Sequence, residues 1–215
     1  MSGAHDRIIA DAAKAALDSL GFRRKGRSRL WLADHGWWLR LVEFQPSAWS
    51  KGAYLNVGAH WLWSEMGHPS FDFGGRVDGF IAYLSDEQFA PGAVRLAESA
   101  ADEAARLMQL FGSLPAATNI LLNETSVTAR LRGHTGWAAY HAGTAAGLAG
   151  LSEDAEEMFS RVLDSSAAPG TVLQIAAERM ARLARDPLAL RREVALMIAH
   201  QRDALRLPPL SAPPF

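Results

Sequence analysis

Cysteine is absent from this 215-residue chain, which excludes disulfides, thiolate nucleophiles and cysteine-ligated zinc together. The fold must then be held by packing. Lysine is nearly absent too, with only Lys14, Lys25 and Lys51 among the 22 basic side chains; the arginine and alanine bias fits a GC-rich bacterial coding background. Those 22 bases stand against 23 acids, so no global field draws the chain to nucleic acid or to an anionic membrane. No run approaches the roughly eighteen apolar residues of a membrane span, and the N-terminus lacks the basic-then-apolar layout of a signal peptide. The chain is read as a cytoplasmic bacterial protein without a membrane partner. What it has is hydrophobic content, 49% of residues, enough for a sizeable core.

Aromatic and β-branched residues concentrate between Gly36 and Trp63, and six of the seven tryptophans lie from Trp31 to Trp63. Two dense runs, Trp37–Phe44 and Tyr54–Trp63, separated by Pro, Ser, Lys and Gly, predict adjacent antiparallel strands. A short strand Leu30–Ala33 precedes them across an Asp34-His35-Gly36 turn. In the later strand Leu55, Val57, Ala59, Trp61 and Trp63 alternate with Tyr54, Asn56, Gly58, His60 and Leu62, and the first set is expected to face the core under the N-terminal helix. The tryptophans read first as packing rings and only secondarily as a stacking platform. That helix is predicted from Asp6 to Leu20, where apolar residues recur every three or four positions. Ser2 or Asp6 would cap it and Gly21 would end it, with Phe22 folding back. Between helix and sheet, Arg23, Arg24, Lys25, Arg27 and Arg29 form the one basic cluster, read as a solvated turn or, alternatively, as a phosphate-contacting loop.

The run Leu20-Gly21-Phe22-Arg23-Arg24-Lys25-Gly26-Arg27, the strand closing on Phe44-Gln45-Pro46-Ser47 with Trp49 just beyond, and Tyr54-Leu55-Asn56-Val57-Gly58 together resemble a bacterial family known only as domain of unknown function 4304. Pro46 stands where that family carries lysine. The resemblance covers Asp6 to Leu62, implies an α+β domain and brings no established activity.

After Trp63, residues 64–75 read as a loop with Gly74-Gly75 as a turn, and Arg76–Leu84 fits an edge strand or a helix start. Ser85-Asp86-Glu87-Gln88 is a capping-type cluster, and Pro91 is expected to open a helix running to Phe111. Beyond Leu114 the pattern is helical: 116–124, 137–148, 153–163, 171–184 and 188–205, with 130–136 as a connector. Asp186 and Pro187 give the last of these a cap and first residue. Gly143, Gly150, Ala155, Phe159 and Val162 resemble a single tetratricopeptide-like helix pair. The organisation expected is an α+β domain over 1–113, with an antiparallel sheet of three or four strands packed by the N-terminal helix and a long helix. A helical region over 114–206 and a mobile proline-rich tail over 207–215 complete it.

No catalytic motif is present: no nucleophile elbow, phosphate loop or dinucleotide glycine pattern. His60 and His68 around Glu65, and His134 with His141, lack the one-turn spacing of a helical metal site, and no cofactor is implied. The acidic pairs Asp86-Glu87, Asp102-Glu103 and Glu156-Glu157 read as solvent faces. The remaining candidates are Arg40, Tyr54, Asn56 and His60, taken as one polar sheet face with Glu43 or Gln45 beside it, suited to binding another protein. The expectation is therefore a non-enzymatic adaptor or immunity-like module. Nucleic-acid binding through residues 23–29 is the alternative, and a hydrolase with His60 as base the third reading.

Overall fold

The computed structural model describes residues 3–132, 136–165, 170–212 and 215, those of 126–132 by backbone alone. The connector over 130–136 and the candidate His134 lie partly or wholly outside the described residues, as does Ser2. Two compact units form, Met1–Leu62 with His68–Gln109, and Trp63–Gly67 with Leu110–Phe215. The division expected after residue 113 thus falls slightly earlier, and the short segment after β4 belongs with the helices.

The first unit is α+β. Helix α1 (Ala4–Leu17) continues as a 3-10 turn, Asp18–Leu20, and stops where Gly21 takes φ 82°. The amide of Phe22 then bonds the Leu17 carbonyl and its ring is fully buried, the C-terminal cap anticipated. Asp6 is not the N-cap residue. It sits one turn in, and its carboxylate accepts from the Gly3 amide at 3.1 Å. Five antiparallel strands follow in sequential order: β1 (Arg23–Arg24), β2 (Leu30–Asp34), β3 (Trp38–Gln45), β4 (Gly52–Trp61) and β5 (Phe73–Ala82). One strand exceeds the upper expected count of four: β1, too short to leave a periodic signature. β5 is the edge strand, one of the two options for residues 76–84, and it begins earlier, through Gly74 and Gly75, which read as a turn. Those two glycines sit inside the strand at positive φ.

Helix α2 runs Asp86–Phe111 and starts at the capping cluster, not at Pro91. The Ser85 hydroxyl accepts from the Gln88 amide at 3.2 Å. Pro91 is the sixth helical residue and forgoes a single bond, to the Glu87 carbonyl.

The second unit contains α3 (Leu114–Arg132), α4 (Gly136–Leu148), α5 (Ser152–Asp164), α6 (Val172–Ala181) and α7 (Pro187–Ala204). Asp186 caps α7, accepting from the Ala189 amide at 3.0 Å. Glycines set the close approaches: a Cβ on Gly143 would lie 2.9 Å from the Phe159 ring, and one on Gly147 2.5 Å from Leu190. Where the chain leaves α7, buried Arg202 donates twice to the Pro208 carbonyl.

Candidate functional site

Strand register decides which side chains share a face, because residues directly opposite in an antiparallel pair point the same way. Here Asn56 faces Glu43, His60 faces Leu39 and Tyr54 faces Gln45, whereas Arg40 faces Ala59. Arg40 therefore lies on the other side of the sheet from the three residues grouped with it in the sequence. Alternation within each strand is legible; the parity between two strands is not.

On its own side Arg40 is 5% exposed. It donates to the Leu20 carbonyl at 2.8 Å, to the Ala104 carbonyl of α2 at 3.1 Å and to His35 Nε2 at 2.8 Å, with its cation 4.9 Å above the Phe22 ring. This cation pins both helices to the sheet. Burial, aided by Arg40, holds His35 down at about 4, so the ring stays neutral and accepts the bond. Leu55, Val57, Ala59 and Trp61 fill the same side and are fully buried, as expected.

The opposite face is polar at one end and closed at the other. Asn56 donates to Glu43 at 3.0 Å and to Gln45 at 3.1 Å, and accepts from Arg76 at 2.8 Å. Arg76 also reaches Gln45 and lies 4.0 Å over the Tyr54 ring. Every Asn56 side-chain group is thereby occupied within the sheet. His60 is 0% exposed. Its Nδ1 meets Asp72 at 2.9 Å and Ser70 at 3.1 Å, while Ser70 donates to Asp72 at 2.6 Å and the Trp61 amide donates to Asp72 at 2.8 Å. Serine, histidine and aspartate are together here, but serine and aspartate share one ring nitrogen. A hydrolytic relay needs them on opposite nitrogens and the serine open to substrate. The cluster instead stitches the 70–72 segment to β4. Gly58 makes that possible, since a Cβ there would fall 2.2 Å from the Phe73 carbonyl oxygen.

Three members of the basic cluster, Arg23, Arg24 and Arg29, are engaged by groups of the chain itself, although Arg23 remains exposed. Arg23 pairs with Asp18, and Arg24 donates to the Ser28 and Arg27 carbonyls. Arg29 clamps α1 to the sheet end: it pairs with Asp6 and donates to the Gly52 carbonyl at 2.8 Å and the Phe44 carbonyl at 3.4 Å. Burial alone would raise the Asp6 carboxyl, but hydrogen bonding and charge from Arg29 outweigh it and hold it below its usual value.

That clamp fixes the base of the β3–β4 loop, residues 46–51, and the loop carries the feature the sequence did not single out. Of the six clustered tryptophans, Trp31, Trp37, Trp38, Trp61 and Trp63 are buried, while Trp49 is 96% exposed. The Ser47 hydroxyl accepts from the Trp49 amide and shapes the turn. Next to it, the Tyr83 amide bonds the Lys51 carbonyl at 3.0 Å, which brings Leu84, 79% exposed, to the same end of the sheet. The loop and His5 surround a shallow concavity of about 320 Å³. The Phe44 amide donates to the Arg29 carbonyl and Arg29 donates back to the Phe44 carbonyl, so the turn carrying Lys25 and Arg27 lies at the same end of the sheet. Among the described residues no hydrogen bond or ion pair engages the charged ends of Lys25, Arg27 or Lys51. The exposed tryptophan was findable: it is the one ring of the six outside the runs expected to be strands, in the segment Pro46-Ser47-Ala48-Trp49-Ser50.

Among the described residues no helix is long and apolar enough to cross a membrane, and no group of three His, Asp or Glu is placed to hold a metal ion. Comparison with protein families, with curated proteins and with solved structures returns no match for this chain.

Proposed function

We propose that the chain is a non-enzymatic protein-binding module whose contact surface is the end of the sheet around Trp49, and that its α+β unit is a variant of the domain of unknown function 4304 family. The observation that carries the reading is an indole 96% exposed on a loop whose base is clamped by Arg29. Tryptophan on a rigid support is the side chain that most often dominates a protein interface. Leu84 at the same end of the sheet extends the apolar surface, and Lys51, Lys25 and Arg27 supply cations at that end, so the partner is a protein with an apolar pocket bordered by carboxylates. Single-stranded nucleic acid is less well served. An aliphatic side chain offers a base nothing to stack on, and Arg23, Arg24 and Arg29 are spent on the chain's own groups.

The test is a photo-crosslinking residue at position 49 in cells, with one at the exposed position 196 as control, followed by affinity measurement on the captured partner. Trp49→Ala is expected to weaken that partner about 30-fold or more, the range of a hot-spot residue. Equal affinity of Trp49→Ala and wild type would refute the proposal. Oligonucleotide binding at low salt that requires Trp49 would move the function to nucleic acid.

A further inference from the structure

In the second unit, the Thr171 hydroxyl caps α6 by accepting from the Gln174 amide, and the helix then carries Val172, Ile175, Ala176 and Arg179 at three- and four-residue spacing. Trp137 and Tyr140, three apart on α4, meet this stripe with their rings edge to face at 5.6 Å. The two helices and Glu65 enclose a half-open cavity of about 230 Å³. Its mouth is apolar, with Val172 62% and Ile175 58% exposed.

The floor is polar and incompletely satisfied. The Tyr140 hydroxyl and Arg179 Nε are both buried without a partner in good hydrogen-bond geometry; Thr144 and Arg179 approach the hydroxyl closely enough for weak hydrogen bonds that only partly offset its burial. Burial pushes the Tyr140 phenol up to about 12, so it keeps its proton. Buried polar atoms are nearly always paired, and two donors lining one cavity are a rare exception. The other faces of Arg179 are committed, Nη2 to Glu65 and Nη1 to Glu193 at 3.4 Å. One cation against two carboxylates leaves the site with one excess negative charge.

We propose that this cavity binds a small uncharged aromatic molecule, or aromatic group, bearing a carbonyl acceptor. The ring lies against Trp137, Tyr140 and Ile175, and the acceptor receives the Tyr140 O–H and the Arg179 Nε–H. An anion would add to the excess charge of Glu65 and Glu193. A cation would leave both donors unmet. The volume is below that of drug-sized pockets and suits a molecule of one ring.

The test uses the full chain and four probes of equal ring size, benzamide, benzoate, benzylamine and toluene, titrated by amide-resolved NMR. Benzamide is expected to shift the Tyr140 and Arg179 amides and to bind about 10-fold tighter than the two charged probes. Tyr140→Phe, checked for folding by circular dichroism, is expected to weaken benzamide about 5- to 10-fold, the worth of one hydrogen bond, and to leave toluene unchanged. If Tyr140→Phe does not fold, Ile175→Glu at the exposed mouth serves instead and is expected to abolish benzamide binding. No benzamide binding, tighter binding of benzoate or benzylamine, or an unaltered affinity in these variants would each overturn the proposal. The Trp49 surface lies in the other unit, and its reading stands or falls separately.

Discussion

Replacing Arg40 by methionine separates a core cation from a binding residue. Methionine keeps most of the unbranched stem and removes the donors. The Ala104 carbonyl retains its place in the α2 ladder, but the Leu20 carbonyl and His35 Nε2 lose the donors described above. Each unmet buried acceptor costs about 1–3 kcal/mol. Part is returned because a buried guanidinium with no carboxylate partner is itself expensive, so a net loss of about 2–4 kcal/mol is expected. With a urea slope of about 2 kcal/mol per molar, the midpoint falls by about 1–2 M at unchanged slope. Intrinsic fluorescence reports it, since most tryptophans lie in this unit. A pH arm makes the test sharper. The folded value of His35, about 4, is below the ordinary imidazole value of 6.5. Above 6.5 both folded and unfolded states are neutral there. Between 6.5 and about 4 the unfolded state binds the proton first, so wild-type stability falls on acidification across that window. The ceiling is about 3 kcal/mol at 1.36 kcal/mol per pH unit, reduced to about 1–2 kcal/mol because the ring keeps some contact with water. In Arg40→Met the Coulomb contribution is gone and only burial remains, so His35 titrates closer to 6.5 and the acid loss shrinks. Wild-type stability in Arg40→Met at pH 7, or a His35 resonance titrating near 6.5 in the wild type, would refute this account.

Trp49→Ala is expected to change stability by less than about 0.5 kcal/mol, as for other exposed positions, and to remove most iodide-quenchable fluorescence. Gly58→Ala places its Cβ on the Phe73 backbone, and the expected loss exceeds about 3 kcal/mol, read as a lowered urea midpoint or as altered β5 amide exchange. Gly143→Val forces α4 away from Phe159; a lowered melting temperature with the first unit's near-ultraviolet signal preserved is the expected calorimetric and spectroscopic result. Arg29→Ala releases the loop base as well as Asp6, so faster hydrogen exchange at Gly52 and a shallower acid-stability profile are expected, the latter because Asp6 no longer carries a lowered carboxyl value.

Most helices and the strands β2, β3 and β4 were legible because each carries a periodic signal: Ile9, Ala13 and Leu17 mark one stripe of α1, and Leu55, Val57 and Ala59 one side of β4. What failed was information that lives between elements. Arg40, Asn56 and His60 are each the polar member of an apolar alternation, so local pattern alone groups them, yet the hairpin register puts Arg40 beneath the helices and the other two opposite. Arg29 was equally hidden, because its partners Asp6, Phe44 and Gly52 are distant in sequence. The basic run looked like a ligand site since its neighbours are cations; folding supplied most of the counter-groups. Trp49 was visible in composition but masked by five companions that do pack.

The edge of the sheet shows the same separation of roles. β5 ends the strand order, and a ten-residue edge strand is an invitation to pair with another chain. Its pairing with β4 is broken by register shifts around Leu55, so Arg76 and Asp78 fall opposite Asn56 and Leu55 in turn and project to different faces. In an antiparallel pairing of two copies about Val77, Arg76 of one would oppose Asp78 of the other, but the bulge turns the two charges to opposite sides and denies them contact. Gly74 and Gly75 at positive φ further twist the edge out of the flat geometry that a second strand needs. The strand with the most exposed backbone is thus the one least able to recruit a partner through it. The exposed apolar side chains at the end of the sheet, Trp49 on the loop whose base Arg29 clamps and Leu84 on the β5–α2 connection, then carry the stronger claim to the proposed contact surface.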